Sequence, residues 1–427
     1  MPIGRLPIKA APTLSRQPSD DDVLIERSNL ERLMASAGLD AIIATDPATV
    51  AALAGYRSWL DGQFRQFMVS PWASGDLIRT YAIFTAGDRP VATIVDALFA
   101  RDAASAGAEC WMYGDPAGAA LVDAGAGFSR TPEEAIARVL AERGMADANI
   151  GLETDGLRPR WRELLRAQCP NAMLRDCTTL LRLARSIKSA THIAHIRKVT
   201  GTAADALAAA VEIARPGARL GELADAYAEA AGRRGAAIEH FALSHRGRGI
   251  ATDRSMRLTA GTVTYLDHGC RTALAVSDAG TTLRLRSLTR DERLARSALE
   301  VALAAGYERL ASHATSSAVY QAMREALGAF PAAIVQGHGV GLEIREYPLL
   351  VPVRDERLRD ECVDVSADLE IRAGMVVNLE ASLFGLGDAS LHMEETYLVT
   401  ENGAEAFASR EIDAEVAAGR RAIDREA

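Results

Sequence analysis

The fold of this chain depends on the stretch Thr262–Thr282, which reads TVTYLDHGCRTALAVSDAGTT. Apolar and polar side chains alternate on both sides of a short polar segment, a pattern typical of two antiparallel strands joined by a turn. A turn centred between Thr272 and Ala273 would place Asp267 directly across from Asp278. Facing carboxylates destabilise a hairpin unless they share a proton or a cation. Taken alone, the stretch is also explained by two solvated aspartates on an edge hairpin.

The composition excludes several functional classes. A length of 427 residues predicts two domains, and 48% hydrophobic with 25% charged residues is ordinary for a soluble globular protein with a large core. The net charge of −9 argues against nucleic-acid binding. No apolar run reaches a membrane span, and the N-terminus lacks a secretory h-region. Five scattered cysteines without metal-type pairing are interpreted as free thiols. We therefore expect a cytoplasmic protein with neither a nucleic-acid nor a membrane partner.

The order of helical and strand-like segments predicts the domain organisation. Residues 1–22 have no periodicity and are interpreted as a loose tail. Residues 23–178 alternate helices, such as Glu26–Ala37 and Pro132–Glu142, with short apolar strands, which predicts an α/β N-terminal domain. Residues 179–427 begin with an Ala-rich helix and continue with hairpins and further helices. This pattern predicts an α+β domain with antiparallel strands, helices outside and a site on the open sheet face.

Two further segments add polar side chains to the two aspartates. The sequence QGHGVGLEIREYP at Gln336–Pro348 brackets His338 with glycines, so we expect this imidazole to project from a loop without bulky neighbours. Downstream, MVVNLE and LHMEETYLVT read as two strands. A turn near residue 387 would place Glu380 opposite Glu394, a second pair of facing carboxylates.

Together these residues predict a metal site. Four carboxylates gathered in one place cannot all stay ionised without compensation, and two divalent cations would balance them. Oxygen-rich ligation with a single imidazole nitrogen suits Mn²⁺, Co²⁺, Fe²⁺ or Zn²⁺. Two such ions lower the pKa of a bound water molecule and polarise a carbonyl group, so the pattern favours hydrolysis.

These residues give the chain a resemblance to the creatinase/prolidase/aminopeptidase P family of metallopeptidases. RSIKSATHIAHIR resembles the signature that opens the family's second domain, with His192 in place of a glutamate. LDHGCRTALAVSD, QGHGVGLEIREYP and the NLE…HMEET pair resemble the family's metal-binding elements, and LERLMASAGLDAIIATDPATVAALAGY resembles its N-terminal opening. The resemblance covers nearly the whole chain. It implies an α/β N-terminal domain followed by an α+β pita-bread C-terminal domain.

The resemblance also implies roles for individual residues. Asp267 would ligate one metal ion, His338 and Glu380 the other, and Asp278 and Glu394 would bridge both. The implied cofactor is a pair of divalent ions, with Mn²⁺ as the first choice and Co²⁺, Zn²⁺ or Fe²⁺ as alternatives. Glu380 is also the candidate for handling the proton of the attacking water.

The chain departs from the family pattern at three positions. Peptidases of this family carry a histidine at the position of Ile250, for which His245 is the nearest substitute. They carry a second histidine where this chain has Arg345, and an arginine where it has His392. One interpretation is an exchange in which Arg345 and His392 keep a cation and an imidazole in the substrate pocket. The other is that Arg345 only pairs with Glu346 or a surface acid.

The sequence leaves three functions open. The first is hydrolysis of an amide bond in a short peptide or peptide-like substrate, similar to an Xaa-Pro dipeptidase or aminopeptidase. The second is a small-molecule hydrolase or lyase on the same fold, similar to creatinase or a dimethylsulfoniopropionate lyase. The third is a non-catalytic binding protein. The resemblance further implies a homodimer in which Trp59 or Phe64 of a neighbouring chain helps to close the pocket.

Overall fold

The computed structural model describes residues 23–407 except 59–78, 88, 107–108, 115–127, 156, 158, 312 and 353–354. The predicted tail at residues 1–22 and the residues Trp59 and Phe64 lie outside the described part of the chain.

The N-terminal part is an α/β domain, as the sequence predicts. Its strands are β1 (Ala41–Ala44), β2 (Tyr81–Thr85), β3 (Ala92–Asp96), β4 (Glu109–Tyr113), β5 (Phe128–Ser129), β6 (Asn149–Leu152) and β7 (Met173–Asp176). They form one mixed sheet in the order β5-β4-β3-β2-β1-β6-β7. Its helices are α1 (Arg27–Ala37), α2 (Pro47–Ala54), α3 (Ala100–Ser105), α4 (Pro132–Glu142), α5 (Pro159–Gln168) and α6 (Thr178–Ala184).

Local sequence signals account for the ends of the two helices predicted above. The Glu26 carboxylate accepts hydrogen bonds from the backbone N–H groups at the start of α1, and Gly38 ends the helix with a φ of 65°. In α4, Thr131 caps the first turn and Pro132 occupies the first helical position, where its missing N–H is no loss.

The C-terminal part is an α+β domain built on antiparallel strands. Its large sheet contains β8 (Ala237–His245), β9 (Arg248–Ala251), β10 (Val263–Arg271), β11 (Ala279–Arg284), β12 (Ile334–Gly339), β13 (Glu346–Leu350), β16 (Val376–Leu386), β17 (Ala389–Thr400) and β18 (Gly403–Ala406). The strand order is β13-β12-β16-β17-β11-β10-β8-β9, and β18 pairs with β17. The strands β14 (Arg357–Arg359) and β15 (Asp364–Ser366) form a separate ribbon.

Four helices cover one face of the large sheet. They are α7 (Ala190–Glu212), α8 (Leu220–Gly232), α9 (Arg290–Arg309) and α10 (Ser316–Ala326). Strand β16 shows why the faces differ, because Val377 and Leu379 pack in a core with apolar residues of α9 and α10. Asn378 and Glu380 alternate with them and therefore lie on the opposite face. The predicted arrangement, with helices outside and a polar site on the other sheet face, is confirmed.

The two predicted hairpins differ in their outcome. Glu380 pairs directly with Glu394, as predicted. The predicted register of the first hairpin is wrong, because Asp267 pairs with Gly280 and not with Asp278. Thr272 N–H donates to the Ala275 carbonyl at 2.8 Å, so the turn lies one residue further along the chain. The two aspartates are consequently diagonal neighbours, and they remain on the same sheet face.

The predicted loop around His338 is also wrong. His338 lies inside β12 and is only 1% exposed. The flanking glycines allow close strand packing, because a Cβ at Gly337 would lie 2.6 Å from the Asn378 carbonyl oxygen and one at Gly339 would lie 2.2 Å from that of Tyr347. The glycines thus bury the imidazole between two strands instead of exposing it. Across the described residues, no helix combines the length and apolar character required to cross a bilayer.

Candidate metal centre

Carboxylates and imidazoles from five strands converge on the sheet face opposite the helices. Three sets of ligand atoms each lie within 4.8 Å of one another, and the sets share members. The sets are His240, Asp267 and Asp278; Asp267, His392 and Glu394; and Asp278, His338 and Glu394. Glu380, the remaining predicted ligand, lies directly across from Glu394 and is 6% exposed. The five predicted ligands therefore lie in one region of the sheet.

Asp267 is held by hydrogen bonds to both carboxylate oxygens. Tyr265 Oη donates to Oδ2 at 2.9 Å, and His240 Nε2 lies 2.8 Å from Oδ1. Burial opposes ionisation of Asp267, but the hydrogen bond to His240 outweighs it and lowers the pKa of this carboxyl group. Asp267 is consequently an ionised carboxylate with a fixed orientation at neutral pH.

Asp278 lies between two imidazoles. His240 Nε2 is 3.3 Å from its Oδ1, and His338 Nε2 is 3.3 Å from its Oδ2. Its backbone carbonyl accepts hydrogen bonds from Asn378 Nδ2 at 2.9 Å and Thr396 Oγ1 at 3.1 Å, which fix the strand position. Although burial disfavours the charged form, the two imidazoles hold the pKa of Asp278 well below its usual range.

Glu394 and Glu380 have different surroundings. Glu394 accepts a hydrogen bond from Asn378 Nδ2 at 2.8 Å, and its other oxygen lies 3.0 Å from His392 Nε2. Glu380 accepts one hydrogen bond, from Arg345 Nη2 at 3.3 Å. Burial and the nearby negative charges raise the pKa of Glu380 to about 7, against the lowering effect of His338 and Arg345. Glu380 is thus the carboxyl group of the cluster that most readily accepts a proton near neutral pH.

His392 is completely buried. Its ring stacks on Tyr265 with centroids 3.9 Å apart, and Nδ1 lies 2.8 Å from Ser382 Oγ. Gly280 makes room for it, because a Cβ there would lie 1.9 Å from His392 Nε2. Burial lowers the pKa of His392 to about 4, so the imidazole is neutral at pH 7. No surface of this ring is open to a substrate.

Arg345 lies at the rim of the cluster. Its side chain is 55% exposed, and its charged partner is Glu380. The predicted alternative pairing with Glu346 is wrong, because Glu346 is bound by Arg185 at 2.7 Å and Lys188 at 3.0 Å. The Arg345 guanidinium therefore stands between the acidic cluster and solvent.

Sequence reasoning missed His240. Ile250, near which the family resemblance implies a histidine, is exposed on β9, and His245 ends β8 with a side chain outside what the structure describes. His240 enters the site because it pairs with Gly269 across the β8–β10 ladder, although it lies 27 residues before Asp267. The sequence feature that could have indicated it is a histidine inside the strand-like run AIEHFALSH, upstream of the hairpin.

The residues present fit divalent cations. His338 Nε2 is buried and, within the described chain, has no hydrogen-bond partner, although it lies 3.3 Å from Asp278 Oδ2. An unbonded nitrogen lone pair or N–H in a buried, acidic site is costly unless a ligand completes it. Carboxylate oxygens with imidazole nitrogens are donors that suit first-row divalent metals.

Comparison with known proteins identifies both domains. Residues 194–401 match Metallopeptidase family M24, and residues 27–187 match the Creatinase/Prolidase N-terminal domain. An uncharacterized peptidase of Methanocaldococcus jannaschii is 37% identical over 76 residues, which is 18% of this chain and 19% of the relative. The chain thus matches about a fifth of the length of that curated relative.

Solved structures share the whole fold. The Xaa-Pro dipeptidase from Bacillus anthracis superposes with a TM-score of 0.68 at 18% identity, covering 90% of this chain and 97% of the other. The prolidase from Pyrococcus horikoshii OT3 gives a TM-score of 0.68 at 18% identity, with 93% and 100% covered. The α/β N-terminal domain and the pita-bread C-terminal domain are confirmed.

Proposed function

Because the chain belongs to metallopeptidase family M24, we propose that it is a metal-dependent hydrolase that cleaves an amide bond in a short peptide or peptide-like substrate, with Xaa-Pro peptides as the first class to test. The observation that carries this proposal is the convergence of Asp267, Asp278 and Glu394 with the buried, unbonded His338 nitrogen on one sheet face. Family membership supports the reaction class, and the cluster supports its location.

Five residues would hold two divalent ions. In this proposal Asp267 binds one ion, His338 and Glu380 bind the other, and Asp278 and Glu394 contact both. When bound, the ions would supply Lewis acidity for a carbonyl group and a lowered pKa for water. The hydrogen bonds from Tyr265 to Asp267 and from Asn378 to Glu394 orient two of these carboxylates before any ion arrives.

Glu380 and Arg345 would act on the substrate side. Glu380 lies directly across from Glu394 and is the proposed group to accept the proton of the attacking water and return it to the leaving amine. Arg345 touches the same carboxylate and presents a half-exposed guanidinium. A dipeptide substrate ends in a carboxylate, which a guanidinium binds through two parallel hydrogen bonds. We therefore assign Arg345 to substrate binding.

His392 would act through Glu394 instead of touching the substrate. Its ring is enclosed by Tyr265 and Ser382, and Nε2 lies 3.0 Å from Glu394. A neutral imidazole held in this way fixes the direction of the carboxylate. We assign His392 as a positioning residue and propose His245, the last residue of β8, as a further substrate contact.

A substrate panel tests the proposed reaction. The full chain, stripped of metal and reloaded with Mn²⁺, Co²⁺ or Zn²⁺, is assayed with Xaa-Pro dipeptides and tripeptides and with matched peptides lacking proline. We expect metal-dependent release of amino acid from at least one peptide class. A fully loaded protein that cleaves no peptide in the panel would contradict the proposal.

A second function is favoured by one specific feature. The imidazole usual for peptidases of this fold is replaced at Arg345, and Ile250 supplies no imidazole at the other position. A cationic rim without those groups would suit a small zwitterionic substrate, on which the same scaffold hydrolyses a C–N bond or eliminates a leaving group. Creatine and dimethylsulfoniopropionate in the same panel discriminate between the two functions. A chain that stays metal-free after loading would instead indicate a binding protein.

A further inference from the structure

His240 is placed by the sheet so that its ring lies over the first hairpin. It is paired with Gly269 in the β8–β10 ladder. A Cβ on Gly269 would lie 2.5 Å from His240 Cε1 and 2.9 Å from Nδ1, closer than packed atoms tolerate. Glycine at residue 269 therefore leaves the space that the His240 imidazole occupies beside β10. The strand pairing and the glycine at residue 269 together determine the position of the ring.

The ring directs one nitrogen at two carboxylates. His240 Nε2 lies 2.8 Å from Asp267 Oδ1 and 3.3 Å from Asp278 Oδ1. On the far side of Asp278, His338 Nε2 lies 3.3 Å from Oδ2. Asp278 thus has one imidazole near each of its carboxylate oxygens. This symmetry was not expected from a ligand set that contained only one histidine.

A second observation points to a ligand inside the cluster. His338 is 1% exposed, and within the described residues its Nε2 has no hydrogen-bond partner. A buried polar nitrogen without a bond is uncommon unless an ion or another group completes its surroundings. His240 and His338 lie on opposite sides of the Asp278 carboxylate. If one ion binds His338 and Asp278, a second ion has an equivalent position between Asp278 and His240.

We infer that His240 is a sixth protein ligand, which binds the ion on the Asp267 side and gives each of the two ions one imidazole. This inference rests on the proposed function, because it requires a two-ion site. Neutral imidazole favours Zn²⁺ and Co²⁺ more strongly than Mn²⁺, which prefers carboxylate and water oxygens. His240 therefore shifts the selectivity of the first ion position away from Mn²⁺, the metal expected from the sequence alone.

The test measures metal binding and not turnover. The full-length protein and the variants His240→Ala and His240→Gln are stripped with a chelator and titrated with Co²⁺ and with Mn²⁺. Ions per chain are measured by elemental analysis, affinities by calorimetry, and the cobalt environment by visible d–d absorption. His240→Gln keeps an N–H donor toward Asp267, so it separates loss of the imidazole from loss of the hydrogen bond to Asp267. His313→Ala, which removes an exposed imidazole 2.6 Å from Glu370, is the matched control.

We expect two Co²⁺ ions per wild-type chain and per control chain. Both His240 variants should bind one of them at least about tenfold more weakly, lose less affinity for Mn²⁺, and show an altered cobalt spectrum. Unchanged cobalt affinity and spectrum in both variants, with two ions still bound, would overturn the inference and leave the proposed function standing. A wild-type chain that binds no ion would overturn both.

Discussion

At the scale of single residues, Arg345 and His392, the two residues beside the proposed ligands, differ in their exposure to solvent. Arg345 is half exposed and touches Glu380, whereas His392 is enclosed and touches Glu394. An exposed cation contributes little to stability, because water screens its ion pair. The Arg345 guanidinium is thus accessible to a molecule that arrives from solvent, whereas the His392 ring is not.

Arg345→Ala tests the substrate-side assignment. We expect kcat/KM for the preferred peptide to fall by about tenfold to a hundredfold, mostly through KM, because a charge-assisted hydrogen bond to the substrate is lost. Metal content and thermal stability should stay at wild-type levels. Arg219→Ala removes a similarly exposed arginine that lies 3.2 Å from Glu222 and serves as the control. Loss of metal from the Arg345 variant would argue against a substrate role.

Glu153 offers a pH-dependent test of the N-terminal domain. It is buried, accepts hydrogen bonds from the backbone N–H groups of Thr45 and Asp46 at 2.8 and 2.7 Å, and contacts Thr49 Oγ1 at 2.6 Å. Burial, together with the charge of Asp46, raises the pKa of Glu153 from 4.5 to about 7. The folded protein therefore keeps a proton that the unfolded chain releases between these pH values.

The sign of the effect follows from this raised pKa. The free energy of unfolding should fall as pH rises from about 4.5 to about 7, by on the order of 3 kcal/mol from this one group. Glu153→Gln has no titrating group at this position. The free energy of unfolding of Glu153→Gln relative to that of the wild type should therefore increase as pH rises through this range. Urea unfolding of both proteins at several pH values measures it. A constant difference between the two proteins at all pH values would contradict the account.

At the scale of strands and hairpins, glycines set the space for the polar cluster. A Cβ on Gly280 would lie 1.9 Å from His392 Nε2 and 2.7 Å from Glu394 Oε2, and both side chains are buried. Neither can move aside without disturbing Ser382 or Asn378, to which they are bonded. His392 and Glu394 can thus pack directly against the β11 backbone only because residue 280 is glycine.

Gly280→Ala is expected to distort the cluster. Overpacking at this position should lower the free energy of unfolding by about 1–3 kcal/mol and reduce the number of ions bound. Gly201→Ala, in helix α7, meets nothing within 4 Å and should leave stability unchanged or raise it by up to about 1 kcal/mol. Denaturant unfolding and elemental analysis of both variants provide the comparison. Normal metal content in Gly280→Ala would show that the backbone does not constrain the site.

The hairpins also show how far the sequence predicts the site. Residue alternation correctly predicts which residues share a face, so Glu380 and Glu394 are found opposite each other. It does not fix where a turn closes, and the 262–282 hairpin is shifted by the Thr272–Ala275 hydrogen bond. His240 escaped detection because strand pairing, and not sequence spacing, brings it to Asp267. The burial of His338 likewise depends on neighbouring strands.

At the scale of the whole molecule, a buried ion-pair cluster connects strand β13 to the segment between α6 and α7. Glu346, at the start of β13, binds Arg185 at 2.7 Å and Lys188 at 3.0 Å, and all three side chains are buried. Arg185 and Lys188 follow α6, whose Leu180 packs in the N-terminal core together with Leu342. Burial raises the pKa of Glu346, but the two cations outweigh it and hold this pKa well below its usual range.

Glu346→Gln should be strongly destabilising, because it removes the counter-charge of the buried Lys188 and one of the two carboxylate partners of the buried Arg185, whose other partner is Glu343. We expect a loss of about 3–5 kcal/mol in the free energy of unfolding. Asp155→Asn removes the partner of the exposed Arg182 and should cost less than about 1 kcal/mol. Thermal and denaturant unfolding measure both. Similarly small losses in the free energy of unfolding of the two variants would mean that the buried cluster does not stabilise the fold.

The assembly of the molecule is a separate proposal. The family resemblance implies a homodimer, and we expect light scattering of the full chain to give the mass of two copies. A mass of one copy at working concentration would contradict this proposal without affecting the metal site. The proposed pocket contribution of Trp59 and Phe64 lies outside the described residues and depends on the dimer.

The most direct test of the metal centre is anomalous diffraction. Crystals of the full chain grown with Co²⁺ are measured at the cobalt absorption edge, so that the anomalous difference map shows only the ions. We predict two peaks, both between Asp278 and Glu394, one of them beside Asp267 and the other beside His338 and Glu380. A map without peaks among these carboxylates would contradict the proposal that this chain is a two-metal hydrolase.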